Sequence, residues 1–296
     1  MPAFTLAHLS DPHLPPLPTP NRSELVGKRA LGYLNWTRNR HNHHRRDVLD
    51  MLVSDLQAQT PHHVAITGDL VNLALDKEFA LARAWLESLG SPDRITAIPG
   101  NHDAYVRATR HRFAETWSSY LEGDESRDGS DLFPALRRRG PLALISLSSA
   151  VPTPPFMATG TLGHTQLEAL DRLLARLSRD ETFRVLLVHH PLRSDSRIKR
   201  LTDSAALIDL VKRHGVELIL HGHDHVHSTI RIDGPNGSIP VVGVPSASAV
   251  AHGRYPAAAY NLFSIRREGS AWRCEQIVRG MNDTMRMRDI RHVSLM

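Results

Sequence analysis

The chain has 296 residues, 41% hydrophobic and 23% charged, which supplies enough apolar material for a sizeable core and excludes a largely disordered protein. Cys274 is the only cysteine, excluding an intramolecular disulfide and a CxxC zinc site. The formal charge of +5 favours an anionic partner, namely a phosphate ester, nucleic acid or an anionic lipid surface, although clusters such as Arg137–Arg138–Arg139 and Arg193 to Arg200 read mostly as solvated surface.

Taken in chain order, Phe4 to Leu9 is an apolar run that ends at Asp11–Pro12–His13 and reads as a buried strand. The N-terminus lacks a basic n-region and runs straight into Asp11 and His13, and no apolar stretch reaches the ~20 residues of a spanning helix. A cytoplasmic protein is therefore expected, with peripheral membrane contact as a variant. Pro12 to Pro20 reads as a Pro-rich surface loop. Residues 21–46 look like an insert: in Lys28 to Arg40 aromatic and aliphatic residues interleave with Arg and Lys, and His41, His43, His44, Arg45 and Arg46 follow. They suit either a cap over a crevice, meeting an anionic substrate or membrane surface, or an ordinary basic loop and helix start.

Val48, Leu49, Leu52, Val53 and Leu56 recur at helical spacing until Thr60–Pro61. Strands are expected at Val64 to Thr67, Ile95 to Ile98, Leu142 to Leu147, Val185 to Val188 and Val216 to Leu220. Helical faces lie between them, at Phe79 to Leu89, Leu167 to Leu177 and Leu207 to Val211. Gly123 to Ser130 is polar and acidic and reads as a surface loop. From Thr229 the pattern becomes strand and turn: Thr229 to Asp233, a Gly234–Pro235–Asn236–Gly237 turn, Ile239 to Val244, Tyr260 to Ile265 and Trp272 to Val278. The C-terminal extension, residues 281–296, reads equally as a packed strand, a dimer arm or a loose tail. With no internal repeat and no linker, the whole of 1–296 is expected to be a single α/β domain, and a homo-oligomer is compatible with it.

Five short motifs follow in order, each in the loop after a predicted strand: Asp11–Pro12–His13, Gly68–Asp69–Leu70–Val71–Asn72, Gly100–Asn101–His102–Asp103, Val188–His189–His190–Pro191 and Gly222–His223–Asp224–His225. Carboxylates, imidazoles and an amide oxygen, without thiolate, suit Mn, Fe, Zn or similar divalent ions. The carboxyl ends of successive strands converge on one edge of an α/β sheet, where crevices form. Singly these motifs are weak signals; the order of all five carries the reading.

That order resembles the calcineurin-like metallophosphoesterases, over residues 11 to 225. The resemblance implies a four-layer αββα sandwich, two mixed sheets flanked by helices, with a dinuclear metal site at the sheet edge. It implies that Asp11, His13 and His225 hold one metal, that Asn101, His189 and His223 hold the other, and that Asp69 bridges both. Mn or Fe is favoured. His190 is expected to neighbour the metal shell or the substrate, or else to replace His189 as ligand, and Asn72 is placed in the same outer class. Two such ions lower the pKa of a shared water, making a bridging hydroxide nucleophile, and neutralise the phosphoryl oxygens. His102 is the candidate general acid, or a histidine that orients the metal shell. Asp103 is read as the cap of a following helix in preference to fixing an imidazole tautomer. His221 and His227, which flank the last loop, are expected either to support the metal ligands or to be merely local polar residues.

Protein serine/threonine phosphatases of the superfamily continue Gly-Asp-x-Val-Asp-Arg-Gly; Asn72–Leu73–Ala74 here lack that Asp and Arg. His8 to His13, Gly68–Asp69–Leu70, Pro99 to Asp103 and His189–His190–Pro191 are similar to bacterial class III cyclic-nucleotide phosphodiesterases. That similarity implies a phosphodiester small-molecule substrate. A UDP-diacylglucosamine-type pyrophosphohydrolase at the membrane surface is the runner-up; a nuclease is supported by charge alone, with no stacking stripe, and a metal-binding regulatory protein is the non-enzymatic alternative.

Overall fold

Strands apolar at nearly every position need cover on both faces, and the chain meets that need with two packed sheets, each carrying helices on its outer side. The computed structural model describes residues 2–125, 132–282 and 285–296; most of the expected acidic loop 123–130 thus lies outside the described residues. In chain order the elements are β1 (Phe4–Leu9), α1 (Lys28–Arg38), α2 (Arg46–Ala58), β2 (His63–Ile66), α3 (Asp76–Leu89), β3 (Ile95–Ala97), α4 (Arg112–Leu121), β4 (Ala135–Arg139) and β5 (Leu142–Ser146). They continue as α5 (His164–Leu177), β6 (Phe183–Leu187), α6 (Ser204–His214), β7 (Leu218–His221), β8 (Ser228–Gly234), β9 (Gly237–Gly243), β10 (Ala259–Glu268), β11 (Ala271–Met281) and β12 (Met287–Ser294).

One sheet runs β12-β11-β10-β1-β2-β3 and the other β4-β5-β6-β7-β9-β8. In the first, β1, β2 and β3 are parallel; in the second, β5, β6, β7 and β9 are. The period-2 alternation of each strand then sorts its side chains between two cores. Leu6, Ala65, Phe263 and Ile265 from the first sheet meet Leu144, Val185, Leu187 and Leu220 from the second in a shared inner core. The opposite faces pack under helices: Ala7, Leu9 and Ile66 under α2 to α4, and Ile145, Leu186 and Ile219 under α5 and α6. This is the expected αββα sandwich.

Two sequence expectations change and a third is resolved. Arg137 is not solvated: it sits in β4, is 4% exposed, and donates to the carbonyls of Pro92, Ile95, Ser119 and Glu122. A guanidinium there satisfies the last carbonyls of α4, which no intrahelical donor reaches. Pro12 to Pro15 is buried beneath the strand ends, so only the later part of the Pro-rich stretch is surface. Of the three readings of the C-terminal extension, the packed strand is observed, with β12 antiparallel to β11. α4 was not anticipated, although Phe113, Trp117, Tyr120 and Leu121 have helical spacing and are buried.

Candidate metal centre

All five motif loops leave the carboxyl ends of parallel strands: β1, β2 and β3 from one sheet, β6 and β7 from the other. The edge of the sandwich is therefore the one place where residues 11 to 225 can meet. Backbone hydrogen bonds continue the strand pairing into the loops and hold them in register: Asp11 N donates to Gly68 O at 3.0 Å, His13 N to Asp69 O at 3.0 Å, and Gly222 N to His189 O at 3.1 Å.

The loops are strained where the site residues stand. Asp11, His13, Asp69, His223 and His225 have φ between 38° and 69°, the left-handed region, at about 1–2 kcal/mol each for a residue bearing Cβ. Such strain persists only where the surroundings over-determine it. Gly68, at φ 99°, completes the turn, and a Cβ there would lie 2.6 Å from Gly100 N and 2.8 Å from His189 Nδ1. At Gly222 a Cβ would collide with Ser10 Oγ and the Asp11 carboxylate.

Asp103 supplies much of the bracing. Its Oδ1 accepts from Leu70 N (2.9 Å) and Val71 N (3.0 Å), and its Oδ2 from Asp69 N (2.9 Å) and Gly100 N (2.8 Å). The expected helix cap is thus corrected: the carboxylate straps the β2 loop to the β3 loop, because no helix begins at Asp103. Burial and the Asp69 charge push this carboxyl up, whereas the four donors hold it ionised. With both oxygens already accepting two N–H groups, we favour the ionised form. Glu78 acts similarly one turn on, accepting from the backbone N–H of Asn72, Leu73 and Leu75 and so starting α3.

Within this frame the side chains form two groups that share one atom. Asp69 Oδ2 lies 3.8 Å from His13 Nε2 and 3.4 Å from His189 Nε2. On one side, His225 Nε2 is 3.2 Å from Asp11 Oδ1 and 3.3 Å from His13 Nε2. On the other, Asn101 Oδ1 is 3.1 Å from His189 Nε2 and 2.9 Å from His223 Nδ1. The seven side chains expected as ligands are therefore brought together, all but His225 and His223 fully buried.

The proton positions say what such a cluster needs. His189 Nδ1 donates to Thr67 O at 2.6 Å and His13 Nδ1 to Val71 O at 3.2 Å, so Nε2 of His13, and Nε2 of His189 in its neutral form, presents a lone pair towards carboxylate and amide oxygens. Acceptors facing acceptors in a buried site repel unless a cation, or a proton, lies between them. Burial keeps His13 and His223 well below the usual imidazole range. At His189 burial acts the same way, but the Asp69 carboxylate overrides it and raises the imidazole to about 10. Protein alone thus stabilises this carboxylate with a proton, and a divalent cation that displaced it would satisfy every donor at once. The donor set fits hard to borderline divalent metals.

The remaining predicted residues surround these groups. His190 is turned away, with Nδ1 at 2.7 Å from Ser149 Oγ and Nε2 at 3.1 Å from Ala158 O, and its ring rests on His223. His221 bonds Gly222 O and Ser228 Oγ, the local one of its two expected roles. Asn72 contributes its carbonyl to His102 Nδ1. That leaves His102 Nε2 beside the centre without a hydrogen-bond partner among the described residues, its ring edge-on to His13 and stacked on Tyr105. Burial lowers His102 to about 4, against the pull of Asp69.

Beside Asn101 and His102 opens a cleft of about 490 Å³. The segment 28–40 forms one wall, through Lys28, Leu31, Asn35 and Arg40, and Phe156, Met157 and Lys199 face it. Lys28 Nζ bonds Thr153 Oγ1 and sits over the Tyr105 ring, and burial lowers it to about 8. No carboxylate forms an ion pair with Lys28, Arg40 or Lys199 among the described residues. His44, also from this segment, reaches the His13 and His225 side of the centre; nothing local in its sequence distinguished it from His41 and His43.

The chain is similar to known proteins in sequence and in fold. A protein of Synechococcus sp. described as "Probable cyclic nucleotide phosphodiesterase" is 28% identical over 176 residues, a stretch covering 58% of this chain and 60% of that protein's length. Among solved structures, a dimetal phosphatase from Danio rerio superposes with TM-score 0.63 at 15% identity, over 98% of this chain and 99% of that one. A purple acid phosphatase from yellow lupin gives 0.61 at 12% identity, over 97% and 53%. Both share the fold. The family model described as calcineurin-like phosphoesterase matches residues 4–227, which contain all five loops and both donor groups, and the chain belongs to that family.

Proposed function

We propose that the chain is a dinuclear metal-dependent phosphodiesterase. Asp11, His13, Asp69 and His225 would hold one divalent ion and Asp69, Asn101, His189 and His223 the other, Mn or Fe before Zn. The observation that carries this reading is the placement of Asp69 Oδ2 between two donor groups, each of which draws side chains from loops of both sheets. Two bound ions supply an activated water and charge neutralisation at the phosphoryl oxygens.

The chain's own residues do the rest. Lys28 and Arg40, cations that form no ion pair with a carboxylate among the described residues, attract an anionic ester into the cleft and orient it against Asn101. Desolvation there strengthens their attraction relative to water. His102 holds its Nδ1 proton on Asn72 O, so proton delivery to a leaving oxygen must come from Nε2. A bound phosphate opposite the ring favours the charged imidazolium that burial alone disfavours. The diesterase assignment, and a cyclic nucleotide as the substrate class, is supported by the similarity to the Synechococcus protein.

A second reading has its own observation. Leu31 (42% exposed) and Phe156 (82%) line the cleft, and the exposed Leu34 (44%) and Ile198 (49%) precede its lining residues Asn35 and Lys199 in the chain, apolar surface suited to an amphipathic ester such as a UDP-diacylglucosamine-type pyrophosphate. Among the described residues no helix is long and apolar enough to cross a membrane.

The test compares bis-p-nitrophenyl phosphate with p-nitrophenyl phosphate, using metal-stripped protein with and without Mn²⁺. Metal-dependent cleavage of the diester at least about tenfold more efficient than that of the monoester is expected. A monoester preference would reject the diesterase assignment, and silence with Mn²⁺, Fe²⁺ and Zn²⁺ on both esters, on 3′,5′-cyclic AMP and on a UDP-lipid would reject the enzyme.

A further inference from the structure

We infer that His44 is an additional protein ligand of the ion held by Asp11, His13 and His225. The inference rests on the dinuclear reading above and adds to it a donor from outside the five motif loops. His44 is 5% exposed, and its ring stands edge-on to His13 at 4.8 Å between centroids and to His225 at 5.9 Å. One ring nitrogen from each of His13, His44 and His225 falls within 4.8 Å of the other two, close enough for all three to bind one ion.

The surroundings aim the ring. Nδ1 lies 2.9 Å from Ser248 Oγ, which leaves Nε2 as the nitrogen facing the centre, without a hydrogen-bond partner among the described residues. Trp36 stacks on the ring at 6.2 Å and 14°, closing its other side. The backbone is pinned as well: Arg45 N donates to Ser248 O and Val250 N to His43 O, both at 2.9 Å, and His44 pairs with Ala249 as an isolated bridge. Ser246 Oγ then donates to Asp11 O at 2.7 Å, so the 246–250 loop that holds His44 also holds the first candidate ligand. A buried imidazole oriented through one nitrogen and open at the other is how proteins commonly prepare a metal ligand.

A structural role alone explains less. A histidine kept for packing and for the bonds of its Nδ1 to Ser248 Oγ and, at 3.4 Å, Ser246 Oγ has no reason to direct its second nitrogen at two other imidazoles. No carboxylate forms an ion pair with His44 among the described residues. With His44 the group becomes three imidazoles and two carboxylates, nitrogen-rich enough to prefer Mn, Fe or Zn over Mg. The segment 21–46 would thereby complete the centre as well as wall the cleft.

Calorimetric titration of metal-stripped protein with Mn²⁺, together with Co²⁺ absorption spectra, tests this on wild type, His44→Ala and Ser248→Ala. Wild type is expected to bind two equivalents. His44→Ala should keep one at wild-type affinity and weaken the other by about 10- to 100-fold, with a changed Co²⁺ d–d band. Ser248→Ala, which leaves the ring but frees its orientation, should weaken the same equivalent by less. Two equivalents at affinities within about twofold of wild type in both variants, with an unchanged Co²⁺ spectrum, would overturn the assignment of His44 alone. Fewer than two equivalents in wild type would overturn the dinuclear reading and this one with it. If His44→Ala does not fold, Ser248→Ala decides by the same comparison.

Discussion

A single atom, Asp69 Oδ2, organises the centre, and the residues around it are set by which nitrogen carries the proton. His102 shows the consequence for chemistry. Its Nδ1 is committed to Asn72 O, so only Nε2 can deliver a proton, and one ring nitrogen lies within 4.8 Å of donor atoms of His13 and Asp69. His102→Ala is expected to retain both metal equivalents and to slow diester hydrolysis by about 10²- to 10⁴-fold for alkoxide leaving groups. Nitrophenolate leaves without a proton, so its esters should lose much less. Rates measured across a leaving-group series check this: a uniform loss would reject the general-acid role and leave His102 as a residue that positions the shell. Five left-handed residues at the same edge make the complementary point that backbone strain has collected where the candidate ligands stand.

At the scale of elements, the loops are held by buried carboxylates more than by helix ends. Asp103 gathers four backbone N–H groups from two loops, and Glu78 gathers three at the start of α3. Replacing Asp103 by Ala would leave four buried donors unpaired at roughly 1–3 kcal/mol each. Loss of about 4 kcal/mol or more is expected in urea unfolding of the metal-stripped protein, with Asp103→Asn recovering part of it by keeping one acceptor oxygen. A loss below about 1 kcal/mol for Asp103→Ala would show that the loops are braced otherwise. The strap was hidden in the sequence because Asp103 follows Asn101–His102 in a motif that invites a chemical or capping role, whereas three of its four partners lie 32 to 34 residues earlier. Arg137 was hidden for a related reason: three consecutive arginines look like surface until a strand turns the first of them inward to the end of α4.

Across the whole molecule, two histidines lie on the inner faces of the first sheet. His8 bonds Thr67 Oγ1 at 2.9 Å and His63 bonds Thr96 Oγ1 at 2.8 Å, and burial lowers each to about 3. Both are therefore neutral in the folded protein, whereas in the unfolded chain they titrate near 6.5. Their contribution to stability is complete above pH 6.5 and declines as pH falls towards 3. At pH 5 each costs about 2 kcal/mol relative to neutral pH. The melting temperature of metal-stripped protein should accordingly drop between pH 7 and pH 5, and His63→Gln should flatten that drop. A melting temperature constant over this range would show that the inner layer admits the charged forms.

The sequence by itself determined the α/β alternation, most strand and helix positions, and the five loops with their candidate ligands. These are local matters: apolar runs of strand length, leucines at helical spacing, and Gly beside Asp, Asn or His at each strand end. Which faces of those elements meet, and so which distant residues become neighbours, was decided only by the tertiary structure. His44 lies 204 residues from Ser248, and Lys28 lies 125 from Thr153, so neither the aim of the imidazole nor the wall of the cleft has a local signature. Periodicity reports how a segment buries its own surface; the closing of two sheets over one edge determines what that segment touches.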